Sequence, residues 1–199
     1  MKTPDRKTAH DILNQASEMN PGKWIEHSKN TAYAAEKIAR HIKGLDREKA
    51  YTAGLLHDIG RREGVRNLHH IICGYEYMMS LGYDGTAKIS MTHSFALKNL
   101  NTYLGEYDCT DTELNFIRTY IENVQYDDYD LLIQLCDCLA LSDGLCIIEQ
   151  RLVDVAMRYG FNELTIPKWK KIFEIKTYFE KIIGKSIYDV LEIMPVRVK

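Results

Sequence analysis

Apolar residues recur along this chain at three- and four-residue intervals nearly throughout, which is the spacing of amphipathic helices. A first short helix is expected over Thr8 to Met19. After the turn Asn20-Pro21-Gly22, with Pro21 at a first-turn position, a second helix runs to about Lys43 and carries His27, Thr31, Ala34, Ala35, Ile38 and Ile42 on one side, with Gly44 as its stop. Asp46 suits the cap of a third helix through Ala50, Ala53 and Leu56 into His57, which Gly60 breaks. Further helices are expected over Asn67 to Leu81, within Gly85 to Leu104, after a cap at Asp111, over Tyr129 to Leu141, over Ile148 to Tyr159, and over Pro167 to Ile183, with Ser186 to Ile193 closing the fold. No alternating strand pattern, internal repeat, low-complexity segment or linker interrupts the series. The expectation is an all-α fold.

Composition narrows the function classes. With 45% hydrophobic residues in 199, the chain can bury a substantial core. Its 26 Lys and Arg against 28 Asp and Glu leave a net charge of -2, which exerts no general pull toward nucleic acid or an anionic membrane. No apolar run is long enough to span a bilayer, and the N-terminal residues lack a signal-peptide apolar core, so a cytoplasmic protein is expected. The five cysteines include no Cys-x-x-Cys pair; they are expected to be thiols, with Cys136 and Cys146 in the core.

The stretch Ala53-Gly54-Leu55-Leu56-His57-Asp58-Ile59-Gly60-Arg61-Arg62 carries the candidate chemistry. Imidazole and carboxylate are the ligand types that hold divalent transition metals, and here they follow a buried apolar run. Two helical neighbours point about 100° apart; His57 and Asp58 can still share a site if the helix ends there, as Gly60 suggests, or the carboxylate can bridge two metals while the histidine binds only one. Asp137 lies in a strongly apolar segment, Leu131 to Leu141, where an unpaired carboxylate would cost several kcal/mol; it needs a cation, a hydrogen-bond cluster or a metal. His27, flanked by small residues a turn or two away, is either a core histidine satisfied by hydrogen bonds or a ligand.

Taken together, His27, the pair His57-Asp58 and Asp137 resemble, in order and setting, the pattern of the HD-domain metal-dependent phosphohydrolases, from about Ile25 to Leu141. The resemblance implies an all-helical fold: a single HD-type domain over residues 1–199, with a core at 20–145 and a C-terminal helical extension at 146–199. It also implies metal ligation by His27, His57, Asp58 and Asp137. His70, one turn before Gly74, and His93 match the additional histidines of six-ligand branches, nearest in pattern to the bacterial symmetrical diadenosine tetraphosphate hydrolases. His69 competes with His70, and the glycine on the face of His70 favours the latter. The implied cofactor is one or two divalent transition metals, iron or manganese first, with nickel and zinc also compatible with the ligands.

By the same resemblance Asp58 bridges the metals and Arg61 meets the phosphoryl oxygens, with Arg62 and Arg66 as further substrate-binding candidates. The expected substrate is a nucleotide or another small phosphate ester, with no membrane or nucleic-acid partner and a homodimer as an open option. Two other activities fit the same ligands: an HD-fold di-iron oxygenase, and a metal-bound domain that senses a nucleotide without cutting it. The aromatic residues of the C-terminal helices, Tyr159, Phe161, Trp169, Phe173, Tyr178 and Phe179, are expected in the core or on a dimer face.

Overall fold

The computed structural model describes residues 2–193, and those residues form an all-α fold with one minimal hairpin. Asp5 caps α1 (Arg6–Met19) by accepting from the Thr8 backbone N–H at 2.7 Å, and the helix buries Ala9, Ile12, Leu13 and Ala16. α2 (Trp24–Ala39) turns a face of small residues inward: Ser28, Thr31, Ala32, Ala34 and Ala35. That face receives α3 (Arg47–Leu56), capped by Asp46 as expected. The two helices come very close at Gly54, where a Cβ would sit 2.8 Å from the Ala32 Cα.

After α3 a 3-10 turn, Ile59–Glu63, leads to α4 (His69–Ser80). Asp108, 39 residues beyond, caps α4 by accepting from the His69 N–H at 2.8 Å and the Asn67 N–H at 2.9 Å. α5 (Asp84–Thr92) and α6 (Asp111–Asn123) follow, with a short 3-10 turn at Leu100–Thr102 between them. α7 (Asp128–Asp137) is almost entirely buried on one side. A two-stranded antiparallel pair, β1 (Ala140–Leu141) with β2 (Gly144–Leu145), separates it from α8 (Ile148–Tyr159), α9 (Thr165–Ile183) and α10 (Ile187–Val190).

One apolar cluster joins the two ends of this series. Ile38 of α2 and Leu132, Leu135 and Leu139 in and after α7 pack with Leu152 of α8, Ile172, Ile175 and Phe179 of α9, and Ile187 of α10. A second cluster lies between α1, α3 and α4, and a third between α4, α5 and α6. Cys136 and Cys146 are buried, and all five cysteines are free thiols.

Several boundaries differ from the periodicity. α2 stops at Ala39 rather than Lys43, because His41 and Ile42 bond back three residues, to Ile38 and Ala39, and the chain tightens out of the helix well before Gly44. Pro21 precedes α2 instead of opening it. Thr110, not Asp111, caps α6, in a reciprocal box with Glu113. Residues 138–145, whose first part reads as helix, bend into the hairpin. There the carbonyls of Ala140 and Leu141 accept side-chain hydrogen bonds from His27 and Asn30. Among the described residues no helix is long and apolar enough to cross a membrane.

Candidate metal centre

α3 ends at Leu56, with His57 as its C-cap and Asp58 just outside the helix. The backbone change lets the two adjacent side chains turn toward each other, His57 Nε2 lying 3.9 Å from Asp58 Oδ2. Gly60 is not the residue that breaks the helix, as periodicity suggests. It lies within the following 3-10 turn, where a Cβ would fall 1.9 Å from the His70 carbonyl oxygen. Its missing side chain lets the turn lie directly on α4. Gly74 does the same one turn along, against Ser90 of α5. These two close approaches bring Asp58, His70 and His93 together.

Four imidazoles then converge, each oriented the same way. The Nδ1 atoms face backbone carbonyls: His27 toward Ala140 at 3.2 Å, His57 toward Gly54 at 2.7 Å, His93 toward Ser90 at 2.9 Å, and His70 toward Asn67. Nδ1–H donation to a carbonyl fixes the tautomer and leaves the Nε2 lone pair for a ligand, the usual arrangement behind a metal-binding histidine. The Nε2 atom of His57 is buried and has no hydrogen-bond partner. An orphaned acceptor of this kind, among imidazoles stacked edge-on at 5.2 Å (His27–His57) and 5.0 Å (His57–His93), fits a cation.

Asp58 sits between two ligand groups. Its Oδ1 lies 3.1 Å from His70 Nε2 and 3.6 Å from His93 Nε2, while its Oδ2 faces His57 and accepts from Arg61 Nε at 2.6 Å. His27, His57 and Asp58 form one group able to hold an ion, and Asp58, His70 and His93 a second, with the carboxylate common to both. Asp137, the last residue of α7, adjoins the first group through His27, whose Nε2 is 2.9 Å from its Oδ1. α7 is tied to the end of α5 by Gln134, which donates to the Thr92 carbonyl at 3.1 Å, and by Thr92, whose hydroxyl donates to Asp130 at 2.7 Å. Those bonds set Asp137 in register with His93.

The electrostatics suit a site that holds cations. Burial pushes the pKa of His57 down and that of His93 down to about 3, so both rings are neutral at pH 7 and their lone pairs are available. Burial alone would raise Asp58, but the Arg61 guanidinium beside it leads the opposing influences, and the carboxyl is held well below its ordinary range. Asp137 is also held down: burial opposes its charge, and His27 and Arg151 overcome that penalty.

All six residues singled out as candidate ligands therefore lie together. Arg61 lines the cavity of about 160 Å³ that opens beside them, together with His27, Asp58, His70, His93 and Asp137. Arg62 and Arg66 do not line it; the Arg62 guanidinium lies over the Tyr77 ring at 3.9 Å, and the Arg66 carbonyl accepts from Arg61 Nη1 at 3.1 Å. His69 turns to Glu113 at 3.2 Å, away from the cavity.

Sequence reasoning missed the opposite wall. Arg151, Arg158 and Tyr159 of α8 and Lys168 and Trp169 of α9 line the same cavity, and Arg151 Nη2 lies 3.5 Å from Asp137 Oδ1. The expectation that Tyr159 and Trp169 serve only the core or a dimer face is corrected accordingly. The signal was present, cations and aromatics sharing one face of each helix, but an ordinary amphipathic helix has the same pattern.

A family model described as HD domain matches residues 24–141, a span that contains all six of these histidines and aspartates. No curated protein and no solved structure matches the chain.

Proposed function

This chain belongs to the HD-domain family, and we propose that it is a metal-dependent phosphohydrolase that cleaves a nucleotide or a related small phosphate ester. His27, His57, Asp58, His70, His93 and Asp137 are the proposed ligands of two divalent ions. The observation that carries this reading is the position of Asp58, one oxygen toward each of two histidine groups. Divalent ions held there would lower the pKa of a water molecule and offset charge on the phosphoryl oxygens.

The protein's own side chains supply the rest. The four backbone carbonyls behind the imidazoles keep the rings from rotating, so the ligand set is organised before anything binds. Arg61 is held by its Nε on Asp58 and its Nη1 on the Arg66 carbonyl, and its Nη2 makes no hydrogen bond among the described residues. That nitrogen is the group assigned to a phosphoryl oxygen, and a guanidinium fixed at two points loses little freedom in making the contact. Apolar atoms of Ala96, Leu104, Leu152, Val155 and Ile172 line the same cavity and restrict bulk water near the reacting phosphorus.

The test pairs elemental analysis of the purified protein with a hydrolysis panel of nucleotides and simple phosphate esters, run with added manganese or ferrous iron. Two equivalents of metal and release of phosphate or nucleotide are expected. Metal-loaded protein that turns over no phosphoester, yet consumes oxygen with an organic substrate, would replace this reading with an oxygenase.

A further inference from the structure

The wall contributed by α8 and α9 lies outside the span that matches the family model, and its chemistry is uneven. On α8, Arg151, Leu152, Val155, Arg158 and Tyr159 are spaced at three and four residues, and on α9 so are Thr165, Lys168, Trp169 and Ile172; each set is one helix face turned to the cavity. The cavity lining as a whole carries four basic side chains, Arg61, Arg151, Arg158 and Lys168, against two carboxylates, Asp58 and Asp137.

Three of these cations already have carboxylate partners. Arg61 is on Asp58, Arg151 lies between Asp137 and Asp154, and Arg158, at the exposed rim, donates to Asp154 at 2.7 Å. Lys168 has no carboxylate partner among the described residues. Its Nζ donates only to the Thr102 carbonyl, at 3.3 Å. A half-buried ammonium facing a cavity, with a second cation beside it and a single neutral acceptor, is short of negative charge. Burial pushes its pKa below the usual lysine range, a shift that Asp137 opposes from a distance and Arg151 reinforces. Ions bound at the six ligands would make the cavity more positive still.

We propose that Lys168, with Arg151, forms a subsite for a second phosphoryl group of the ligand, so that the preferred ligand is a diphosphate or longer phosphoanhydride and not a simple monoester. The proposal rests on the phosphohydrolase reading for where the first phosphoryl group lies, among the histidines and Asp58. Arg151 links the two positions, since it touches Asp137 on one side and shares the α8 and α9 wall with Lys168 on the other. Lys168 is then a specificity-determining residue supplied by the C-terminal helices, and it takes no part in ligating the ions.

The probes are methylenediphosphonate and methylphosphonate, which resist hydrolysis. They are titrated by calorimetry into manganese-loaded protein freed of excess ion, with metal content measured again afterwards. Wild type is expected to bind the diphosphonate at least ~10-fold more tightly, the scale of one added charge-assisted contact. Lys168→Gln should remove most of that preference while leaving methylphosphonate affinity within about twofold, and Lys168→Arg should restore it. Equal affinity of wild type for both probes, or a Lys168→Gln protein that keeps the preference or weakens both probes alike, overturns the subsite. A clear preference in a protein that hydrolyses no phosphoester keeps the subsite and removes the hydrolase reading. Hydrolysis with no preference does the reverse.

Discussion

His70 Nε2 lies 3.1 Å from Asp58 Oδ1, although the two residues belong to different elements and are separated by the whole 3-10 turn. The His70 Nδ1 meets the Asn67 carbonyl at the same time. An imidazole with oxygen acceptors at both nitrogens needs either a second proton or a metal ion on one of them. The pair is therefore the most direct place to ask how many ions the proposed centre would hold.

Replacing His70 by Ala should remove one metal equivalent and leave the other, because His27, His57 and Asp58 form a group that does not include it. Inductively coupled plasma analysis of wild type and variant reads this directly; an unchanged count would refute a two-ion centre.

Asp58→Ala should lose both ions and all turnover, since the carboxylate is common to both groups. The substitution also leaves the Arg61 guanidinium without its 2.6 Å partner. Asp58→Asn, which preserves shape, separates the two effects: metal content should still fall, while the fold is kept by circular dichroism. Retention of two ions by Asp58→Asn would show that Asp58 is not a shared ligand.

Metal-free protein should lose stability as pH falls. The native state holds His57 and His93 neutral, so each has a folded pKa below its unfolded value, with His93 at about 3 against 6.5. Between those values the unfolded chain binds more protons than the native one, and stability drops as pH is lowered through that window. The slope is about 1.4 kcal/mol per pH unit for each such group. Below the ordinary carboxylate range Asp58 and Asp137 add to the loss, because their folded pKa values are depressed. Urea titrations of metal-free protein at pH 7 and 4.5 measure the difference, and equal midpoints would contradict neutral buried imidazoles.

Gly60→Ala should be disproportionately harmful. The added methyl would fall 1.9 Å from the His70 carbonyl oxygen, so the 3-10 turn must lift off α4. Overpacking of this kind costs about 1–3 kcal/mol, and here the displaced backbone also carries Asp58 away from His70. Metal affinity is expected to fall with stability, measured by competition with a chelator and by urea unfolding.

Phe179→Ala tests how the C-terminal helices belong to the whole. Phe179 is fully buried in the cluster that also contains Ile38 and Leu135. A loss of about 3–5 kcal/mol in a single cooperative urea transition is expected. Two separate transitions, only one of them shifted, would mean that α8 to α10 unfold apart from the rest.

The helices were legible in the residue order, because helical periodicity is a local property, and the resemblance to the HD pattern singled out the histidines and aspartates of the candidate centre; among the described residues no helix is long and apolar enough to cross a membrane. His57-Asp58 after an apolar run, and Asp137 inside one, stand out because burying such groups is costly without a partner. Other features depended on which surfaces pack together. Gly60 reads locally as a helix stop, and only the approach of α4 shows that its role is to leave room for a carbonyl. Ala140 and Leu141 read as the end of a helix, and only their hydrogen bonds to His27 and Asn30 show why they leave it. Arg151 and Lys168 look like the solvated charges of any amphipathic helix. They face the cavity because α8 and α9 bury their apolar residues against α7, and a cation's surroundings are set by whatever packs opposite it, not by its neighbours in the chain.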